Sequence, residues 1–531
     1  MKQLGNISAY LLIITILIPI CEVRGQNTNI SDGYLFDGEP FITINPSNGS
    51  HMVVAWMGVN GLDLVQIMTR VSTDGGNSWS AEYAQPHIAG GYTSADPSMD
   101  WDSDGNLYLC YIDYSPFGTS GKTIVRKSAD GGFTWGDPVE VIDAFDDPGE
   151  VPVDRPWLVI DRSGGLDDGF QYVTTKPAPW IPFPNRNYLT VSKNGGLSFE
   201  DWRYIDTTGW QIGDFIQAPM AAPAVGPDGT LHCVYPAWEP TENLLPRFIH
   251  ASSVNGGDGF SYYEMLESFG GDLNADTSAK TGYQLLVDPT DPHHLVFLFV
   301  FRPLGDNDIY CLESANSGVN WSTPLRINAD PAGNKVMQDL VWGDFDGEGN
   351  LVVTWRDRRN AVDTGYAVAS EIWGAVRYKD SIAFSNDFRI SSALAAFDSV
   401  LYGNGNDFMG VQLFNDTLYA VWGDTRNDYL NIWFSKQAVG SSTPTGVINL
   451  GSEQLFEITA YPNPAGNYLM VEGDNISRLQ IRTASGQVYL DQSITTTGDI
   501  RLSLENIPAG NYFLAAFIGN DVAVRQIAIT K

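Results

Sequence analysis

Short apolar segments alternate with turn-forming residues along most of this chain. Residues 40–46 (PFITINP) and 51–56 (HMVVAW) flank the turn SNGS, and residues 97–102 (PSMDWD) and 107–113 (LYLCYID) flank the turn SDGN. The segments are rich in Val, Ile, Tyr and Trp, and the chain shows no sustained helical period. The pattern therefore predicts an all-β fold built from hairpins of short antiparallel strands.

A polar turn that ends in an aromatic residue recurs along the chain. STDGGNSW (72–79) and SADGGFTW (128–135) share the pattern Ser-x-Asp-x-Gly-x-x-Trp. The poorer copies SKNGGLSF, SVNGGDGF and SANSGVNW begin at Ser192, Ser253 and Ser314, so the period is roughly sixty residues. Each copy follows three apolar segments, and one four-stranded unit per period is typical of a β-propeller blade.

Seven units of this kind can be counted by their first predicted strands. They begin near Glu39, Asp96, Asp154, Ala218, Gly282, Asp339 and Asp407. The last two units lack the polar turn but share the matched segments LVVTWRDRRN (351–360) and LYAVWGDTRN (418–427). Seven blades are favoured, with residues near 30–37 supplying the outer strand that closes the ring. Six blades and one irregular unit are the alternative.

The repeated turn is the Asp-box, or BNR repeat, and residues 39–437 resemble the sialidase-like β-propellers. The box residues are Ser72, Asp74, Gly76 and Trp79 in the first copy and Ser128, Asp130, Gly132 and Trp135 in the second. Asp accepts hydrogen bonds from turn amides, glycine supplies a positive φ, and the aromatic ring covers the base of the hairpin. Asn replaces Asp in the three poorer copies, which a catalytic acid would not tolerate. We therefore interpret the boxes as structural.

The boxes also indicate where a functional site should lie. Alternate turns of an antiparallel blade face opposite rims, and the boxes share their rim with the turns between first and second strands. We call the opposite rim the box-free rim, and in the sialidase-like family this rim carries the active site. The polar residues that the repeat assigns to it are Glu39, Asp96, Asp113, Asp154, Arg155, Glu239, Arg302, Arg356, Asp357, Arg358, Asp424 and Arg426.

The resemblance implies one catalytic hypothesis, an exo-sialidase-type glycoside hydrolase. In it Arg155, Arg302 and Arg426 bind the carboxylate of the substrate, and Asp96 or Asp113 donates the proton. Sialidases carry an Arg-Ile-Pro motif on the first strand, where this chain has EPFITINP. This departure weakens the sialidase hypothesis.

A second hypothesis is a non-catalytic module that binds or adheres to a glycan or glycoconjugate. Trp180, Trp210 and Trp238 lie in loops of the box-free rim, and the CH faces of sugars stack on aromatic rings. Glu239 and Arg356 are further candidate substrate-binding residues. The alternative for the Asp-Arg pairs of the two matched segments is a buried brace between strands, which we favour.

The chain carries 63 acidic and 30 basic residues and a net charge of −33. This charge repels nucleic acid and anionic lipid, so neither is expected as a partner. Residues 1–25 have the pattern of a cleavable secretory leader, and no later segment is long and apolar enough to span a membrane. Cys110, Cys233 and Cys311 lie far apart in apolar segments and are expected to be buried free thiols.

Two Asp-rich loops are similar to calcium-binding loops. They are DWDSDGN (100–106) and DFDGEGN (344–350). Tyr111 and Trp355 stand where an EF-hand needs its acidic twelfth residue, so we predict hairpin turns with no metal site and no cofactor. Bound calcium is the alternative.

The C-terminal region has a different pattern. The small polar residues of 441–455 predict a linker, which ends the propeller region of residues 26–440. Residues 456–531 alternate apolar and polar positions as a small β-sandwich would. They resemble the type IX secretion sorting domain through YPNPAGNYL, ASGQVY, IPAGNYFL and IAITK. The resemblance implies a Gram-negative cell, the type IX machinery as a partner, and secretion or display at the outer-membrane surface.

Overall fold

A computed structural model describes much of the chain. The described residues are 27–31, 33, 36–59, 64–178, 180–182, 184–216, 219–267, 282–303, 305–397, 406–439, 459–473, 476–482, 488–494, 500–518 and 521–530. The chain divides into two compact units between Ser442 and Thr443. The predicted leader and the predicted linker lie outside the described residues. Within the described ranges, no helix has the length and apolarity needed to cross a membrane.

The first unit contains seven four-stranded antiparallel sheets, which are the blades of a β-propeller. Blade 1 contains β2 (Asp37–Asn45), β3 (Asn48–Val59), β4 (Val65–Ser72) and β5 (Tyr83–Ala84). Blade 2 contains β6 (Thr93–Trp101), β7 (Leu107–Tyr114), β8 (Gly121–Ser128) and β9 (Val139–Asp143). Blade 3 contains β10 (Asp154–Ile160), β11 (Gln171–Lys176), β12 (Tyr188–Ser192) and β13 (Arg203–Tyr204). Blade 4 contains β14 (Ala222–Val225), β15 (Leu231–Ala237), β16 (Arg247–Ser253) and β17 (Ser261–Glu267). Blade 5 contains β18 (Tyr283–Val287), β19 (Leu295–Phe301), β20 (Asp308–Ser314) and β21 (Leu325–Arg326). Blade 6 contains β22 (Gln338–Phe345), β23 (Leu351–Asp357), β24 (Glu371–Arg377) and β25 (Phe388–Arg389).

Blade 7 closes the ring with a strand from the other end of the unit. Its strands are β26 (Gly410–Phe414), β27 (Thr417–Asp424), β28 (Asn431–Ala438) and β1 (Asn27–Asn29), with β1 outermost. The seven-bladed fold and its closure are confirmed, but the closing strand lies before the predicted residues 30–37. The backbone amides of Ile30 and Asp37 donate to the carbonyls of Ile432 and Leu430, so both residues lie beside the start of β28.

The first strands of blades 1, 2 and 3 carry the same distortion. Glu39, Asp96 and Arg155 have φ of 53°, 56° and 48°, and each precedes a proline. The pairing register shifts at each of these positions, which marks a β-bulge. A bulge redirects side chains and tolerates a proline, because it leaves a residue out of the ladder. The three bulges place charged residues at equivalent points of adjacent blades.

Aromatic rings fill the axis of the propeller below these bulges. Trp157 of blade 3 lies 5.1 Å from Trp342 of blade 6 and 5.8 Å from Phe408 of blade 7, between ring centroids. Phe41 of blade 1 packs edge-on against Trp157 at 6.1 Å. Blades 3 and 6 are on opposite sides of the ring, so these contacts cross the axis. The rings form a floor for any site on the box-free rim.

The Asp-boxes have the structural role that the sequence predicts. In the first box Ser72 Oγ donates to Asp74 Oδ1 at 2.9 Å and accepts from the Gly76 amide at 2.9 Å. Asp74 also accepts the Ser78 amide at 2.9 Å, which lowers its pKa to about 2 together with the Ser78 hydroxyl. Trp79 packs on Phe434 of blade 7, with 5.2 Å between ring centroids. The ring therefore contacts the preceding blade as well as its own hairpin.

Each box is also joined to the preceding blade by a hydrogen bond. A side chain of that blade donates to the carbonyl of a box glycine in all five copies. The pairs are Lys436 with Gly75 (3.0 Å), His51 with Gly131 (2.7 Å), Tyr108 with Gly195 (3.1 Å), Arg203 with Gly257 (2.9 Å) and His250 with Gly318 (3.1 Å). The boxes thus connect neighbouring blades, which their sequence alone does not reveal.

We expect Gly318→Ala to destabilise the propeller by about 2 kcal/mol more than Gly195→Ala. Both glycines have positive φ, 81° and 70°, so both variants carry the cost of a left-handed alanine, about 1–2 kcal/mol. A Cβ at Gly318 would lie 2.0 Å from the buried His250 ring, whereas a Cβ at Gly195 meets nothing within 4 Å. Urea unfolding followed by tryptophan fluorescence measures the difference, and equal midpoints would contradict it.

The three cysteines of the propeller are buried free thiols, as predicted. The second unit contains two antiparallel sheets that enclose an apolar core. One sheet is β29 (Thr459–Tyr461), β30 (Tyr468–Glu472) and β33 (Ile500–Ser503). The other has the order β32 (Val488–Ser493), β31 (Arg478–Arg482), β34 (Gly510–Ile518) and β35 (Asp521–Ile529). Leu469, Leu479, Leu502 and Leu514 are fully buried between the sheets, as a small β-sandwich requires.

Candidate functional site

A cavity of about 360 Å³ lies on the box-free rim between blades 1, 2 and 3. Its lining includes the bulge residues Glu39 and Asp96, together with Asp154, which precedes the bulge residue Arg155. The turn that joins β7 to β8 contributes Gly118 and Ser120, and the loop after β11 contributes Trp180. A volume of this order accommodates a small ligand such as a single sugar residue.

Three carboxyl groups are hydrogen-bonded in a row at the base of the cavity, and we call Glu39, Asp96 and Asp154 the carboxyl triad. Asp96 is central and contacts both of the others. Burial raises the pKa of Asp96 to about 6, and the negative charge of Asp154 adds to this effect. Asp96 therefore exchanges its proton near neutral pH.

Two cations flank the triad and are bound by carboxylates. The buried Lys176 ammonium forms an ion pair with Asp154. Burial opposes ionisation of Asp154, but the charges of Lys176 and Arg155 outweigh it and lower the pKa of Asp154. Arg155 Nη2 lies 2.5 Å from Asp407 Oδ2 of blade 7, and its backbone amide donates to Asp96 Oδ2 at 3.0 Å. The Arg155–Asp407 pair spans the axis above the aromatic floor.

Aromatic side chains form part of the cavity wall. Tyr114 is the last residue of β7 and pairs with Gly121 of β8. A Cβ added at Gly121 would lie 2.6 Å from the Tyr114 Cβ. Burial raises the pKa of Tyr114 to about 12, with added contributions from Asp96 and Asp154, so its hydroxyl stays protonated. Trp180 is 60% exposed at the cavity mouth. An exposed indole beside a polar cavity suits stacking with the CH face of a sugar.

The structure brings Asp96 and Arg155 together but not the other predicted catalytic residues. Asp113 is fully buried and accepts from His87 Nδ1 at 2.7 Å, the Ile88 amide at 2.6 Å and Ser94 Oγ at 3.0 Å. These bonds hold Asp113 between blade 2 and the loop that precedes it, outside the cavity lining, so its role as proton donor stays a prediction without support from this cavity. The repeat assigned it to the correct rim but not to a distance from the axis.

Arg302 and Arg426 also lie outside the cavity lining. Arg302 is exposed on the turn after β19 and donates to the Gly305 carbonyl at 3.1 Å. Arg426 Nη2 pairs with Asp424 Oδ2 at 2.5 Å, and its guanidinium lies 4.2 Å from the Trp433 ring centroid. With Arg155 they occupy three separate blades and do not converge. None of the three arginines is in the cavity lining, so the arginine set of the sialidase hypothesis stays a prediction.

The predicted substrate-binding residues of blade 4 are part of a separate loop cluster. Trp210 stacks on Tyr262 at 5.9 Å between ring centroids, and Trp238 packs on Phe215 at 4.9 Å. Glu239 accepts the Thr241 amide at 3.0 Å and the Thr241 hydroxyl at 2.7 Å. None of these residues lines the cavity described here. Of the predicted tryptophans, Trp180 alone borders it.

Arg356 is a brace between strands, as the favoured interpretation held. Its Nε and Nη2 donate to the two oxygens of Asp339 at 2.8 and 2.6 Å, and all of these groups are buried. Arg358 donates to the same carboxylate at 3.1 and 3.2 Å. Burial opposes ionisation of Asp339, but the two guanidinium charges outweigh it and hold its pKa at about 2. Arg356 is thus bonded to Asp339 and lies outside the cavity lining, and its predicted role in substrate binding stays a prediction.

Sequence reasoning overlooked Tyr114 and Asp407, which line the cavity from a strand end and a distant blade, and Lys176 of β11, which forms an ion pair with Asp154. It placed Glu39 and Asp154 on the correct rim without selecting them. A usable signal was present in the dipeptides Glu-Pro, Asp-Pro and Arg-Pro, which begin at 39, 96 and 155. A proline after a charged residue at one register of successive blades indicates a repeated bulge.

We expect Arg302→Ala to leave ligand affinity and turnover within about twofold of the unchanged protein. The side chain is exposed and bonds to a carbonyl three residues away, so its loss removes no cavity contact. Isothermal titration and initial rates measure both quantities with any saccharide that binds. A tenfold loss of affinity or turnover would show that Arg302 belongs to the functional site.

The two Asp-rich loops are hairpin turns, between β6 and β7 and between β22 and β23. Asp102 Oδ1 accepts the amides of Asp104 and Asn106 at 3.1 and 2.7 Å. Asp346 Oδ1 accepts those of Glu348 and Asn350 at 3.0 and 2.8 Å. In the described part of the chain, no three His, Cys, Asp or Glu side chains are grouped to hold a metal ion.

Residues 459–530 match the family model of the secretion system C-terminal sorting domain. The prediction of a type IX sorting domain is thus confirmed. The protein is secreted or displayed at the cell surface of a Gram-negative bacterium, and its C-terminal region implies an interaction with the secretion machinery.

Solved structures with a similar fold include enzymes and a protein of unknown function. The latter, from Dyadobacter fermentans, is 15% identical over 66% of this chain and 98% of its own, with a TM-score of 0.41. The NanB sialidase of Streptococcus pneumoniae is 11% identical over 77% of this chain and 69% of its own, with a TM-score of 0.36. An alpha-L-arabinanase of Penicillium chrysogenum complexed with arabinobiose is 10% identical over 78% of this chain and 98% of its own, with a TM-score of 0.44. These likenesses concern the fold. Comparison with curated proteins gives no match.

Proposed function

We propose that the propeller binds saccharides in the cavity of the box-free rim and cleaves a glycosidic bond, with Asp96 as the proton donor. The observation that carries the proposal is the group of three carboxyl residues, Glu39, Asp96 and Asp154, that line a sugar-sized cavity in which burial raises the pKa of Asp96 to about 6. A general acid works best when its pKa is near the working pH, and Asp96 meets this condition through burial. Trp180 and Tyr114 supply apolar surface for the sugar ring.

The proposed chemistry assigns different roles to neighbouring carboxyl groups. Asp96 donates its proton to the glycosidic oxygen as the bond from that oxygen to the anomeric carbon breaks. Asp154, kept ionised by Lys176, stabilises the positive charge that develops on the sugar. Water then adds to the anomeric carbon and returns a proton to Asp96. Environments that separate the pKa values of adjacent carboxyl groups support such a division of roles.

A second candidate function, binding without catalysis, is favoured by one observation. The carboxyl groups of the triad are in direct hydrogen-bond contact. Hydrolases that use two carboxyl groups hold them about 5–5.5 Å or about 6.5–9.5 Å apart. The exo-sialidase alternative receives no such support, because Arg155 is the one arginine of its three that bonds to cavity residues, Asp96 and Asp407.

We expect Trp180→Ala to weaken saccharide binding about tenfold while kcat changes less than threefold, because the indole stacks on substrate away from the reacting atoms. The matched control is Phe215→Ala, since Phe215 is also an exposed aromatic, at 56% against 60%, but does not line the cavity. Affinity is measured by titration and turnover by release of a chromogenic aglycone from a panel of neutral, amino and sialic glycosides.

The same panel separates the two candidate functions. Binding with no turnover of any member would leave the binding function and reject hydrolysis. Equal losses in Trp180→Ala and Phe215→Ala would reject the cavity as the binding site.

A further inference from the structure

We infer that the cavity selects 6-deoxy sugars, which carry a methyl group at C6 where a hexose carries a hydroxymethyl group, a refinement that rests on the proposed saccharide-binding function. The observation that carries it is the division of the cavity lining into two parts. The carboxyl groups of Glu39, Asp96 and Asp154 belong to the first strands of blades 1, 2 and 3, nearest the axis. The other part, which we call the apolar wall, consists of Met57, Ile112, Ala144, Val151, Val153 and Ala178.

The apolar wall is continuous with the hydrophobic core between blades 2 and 3. Ile112, Ala144 and Val153 are buried members of this core, and Met57 and Val151 pack against it. The wall side chains carry no hydrogen-bonding group other than the weakly accepting sulfur of Met57. A methyl group placed against this surface leaves water favourably, whereas a hydroxyl group there loses its hydrogen bonds to water without replacement.

The backbone amides of the apolar wall are engaged within the protein. The amide of Ala144 donates to the Gly121 carbonyl at 2.9 Å. The amides of Val153 and Ala178 both donate to the Val151 carbonyl, at 2.9 and 3.1 Å. An acetamido group of an amino sugar needs a donor for its carbonyl and an acceptor for its N–H, and these three amides offer it no donor. The wall therefore matches a bare methyl group better than an N-acetyl group.

Val151 is held in an unusual conformation at this wall. Its φ of 46° lies in the left-handed region, where a β-branched residue is an outlier. The two hydrogen bonds to its carbonyl connect it to the residue before β10 and to the loop after β11. Strained residues of this kind persist where the surrounding structure fixes them, and they are frequent at ligand-binding sites. The wall is thus in place before a ligand binds.

A 6-deoxy sugar has the same division as the cavity. Its ring hydroxyl groups can donate hydrogen bonds to the carboxyl oxygens of the first strands, and its C6 methyl group presents an apolar end to the wall. Trp180 at the mouth offers a ring for the CH face of the same sugar. A hexose would place a hydroxyl group at the wall, and apolar sites discriminate against an added hydroxyl group by up to about 100-fold.

The test compares pairs of sugars that differ at C6 alone: L-fucose with L-galactose, L-rhamnose with L-mannose, and 6-deoxy-D-glucose with D-glucose. N-acetylglucosamine is the probe that carries an amide. In titrations of the full-length protein, the tightest ligand should be a 6-deoxy sugar, and it should bind at least about tenfold more tightly than its hexose partner.

Val151→Thr and Val153→Thr test the apolar wall itself. Each variant replaces a methyl group with a hydroxyl group of similar size, which gives the C6 hydroxyl group of a hexose a partner. At least one of them should lower the 6-deoxy preference to below threefold. The matched control is Val254→Thr, because Val254 is 82% exposed in a box on the opposite rim, and it should leave the preference unchanged. If the buried Val153→Thr variant does not fold, the half-buried Val151→Thr variant decides.

The outcomes distinguish this inference from the proposed function. Equal affinities within every pair, or tightest binding of N-acetylglucosamine, would overturn the 6-deoxy preference and leave saccharide binding intact. An unchanged preference in the folded wall variants would also overturn it, because C6 would then not contact the wall. Binding of a 6-deoxy sugar without turnover of its chromogenic glycoside would uphold the preference and reject hydrolysis. Absence of binding to every sugar would overturn both.

Discussion

We expect Asp96→Asn to lower kcat on a cleaved saccharide by about 100-fold or more, with KM changed less than threefold. Asparagine keeps the shape of the side chain but has no proton to donate, and general acid catalysis typically contributes this much. Because the acid form of Asp96 is the active one, turnover in the unchanged protein should fall as the pH rises through about 6. Initial rates between pH 4.5 and 8 measure both effects.

The control for Asp96→Asn is Asp258→Asn, which removes an exposed carboxylate on the opposite rim. The Asp258→Asn variant should keep both the turnover rate of the unchanged protein and the fall of that rate above pH 6. Retention of more than a tenth of the rate by Asp96→Asn, or an unchanged descending limb, would exclude Asp96 as the proton donor.

We expect Asp339→Asn to lower the free energy of unfolding of the propeller by about 3–5 kcal/mol, the range for loss of one partner of a buried ion pair. The substitution removes the carboxylate that Arg356 and Arg358 share. The folded pKa of Asp339, about 2, is below its ordinary value of 3.8, so its contribution is complete above that value and is lost as the pH falls towards 2. Urea unfolding at pH 7 and pH 3 measures the effect.

Glu82→Gln is the matched control for Asp339→Asn. It breaks the Arg70–Glu82 pair, whose side chains are 20% and 33% exposed, and pairs of this kind contribute at most about 1 kcal/mol. If the two variants unfold at the same urea concentration, the Asp339 brace is not a major source of stability.

The candidate site was predictable only in part. The repeat fixes which end of each strand faces which rim, and on that basis the sequence indicated Asp96 and Trp180, which line the cavity, and Arg155, whose amide donates to Asp96. The same rule selected Asp113 and Arg302, because position along a strand says nothing about distance from the axis. Asp113 is already hydrogen-bonded to His87, and Arg302 lies on an exposed turn.

Strand positions, the repetition of four-stranded blades, the hairpin turns and the Asp-box bonds were determined by the sequence itself, because each depends on residues close together in the chain, whereas the structure decided for seven blades over six. The C-terminal sorting domain was equally apparent from its local motifs. The tertiary structure decided everything that crosses between blades. It alone joined Arg155 to Asp407 across the axis, packed Trp157 against Trp342, linked each box to the preceding blade and brought the carboxyl triad together from three blades. These contacts connect distant parts of the chain, and the curvature and closure of the ring determine which of those parts meet.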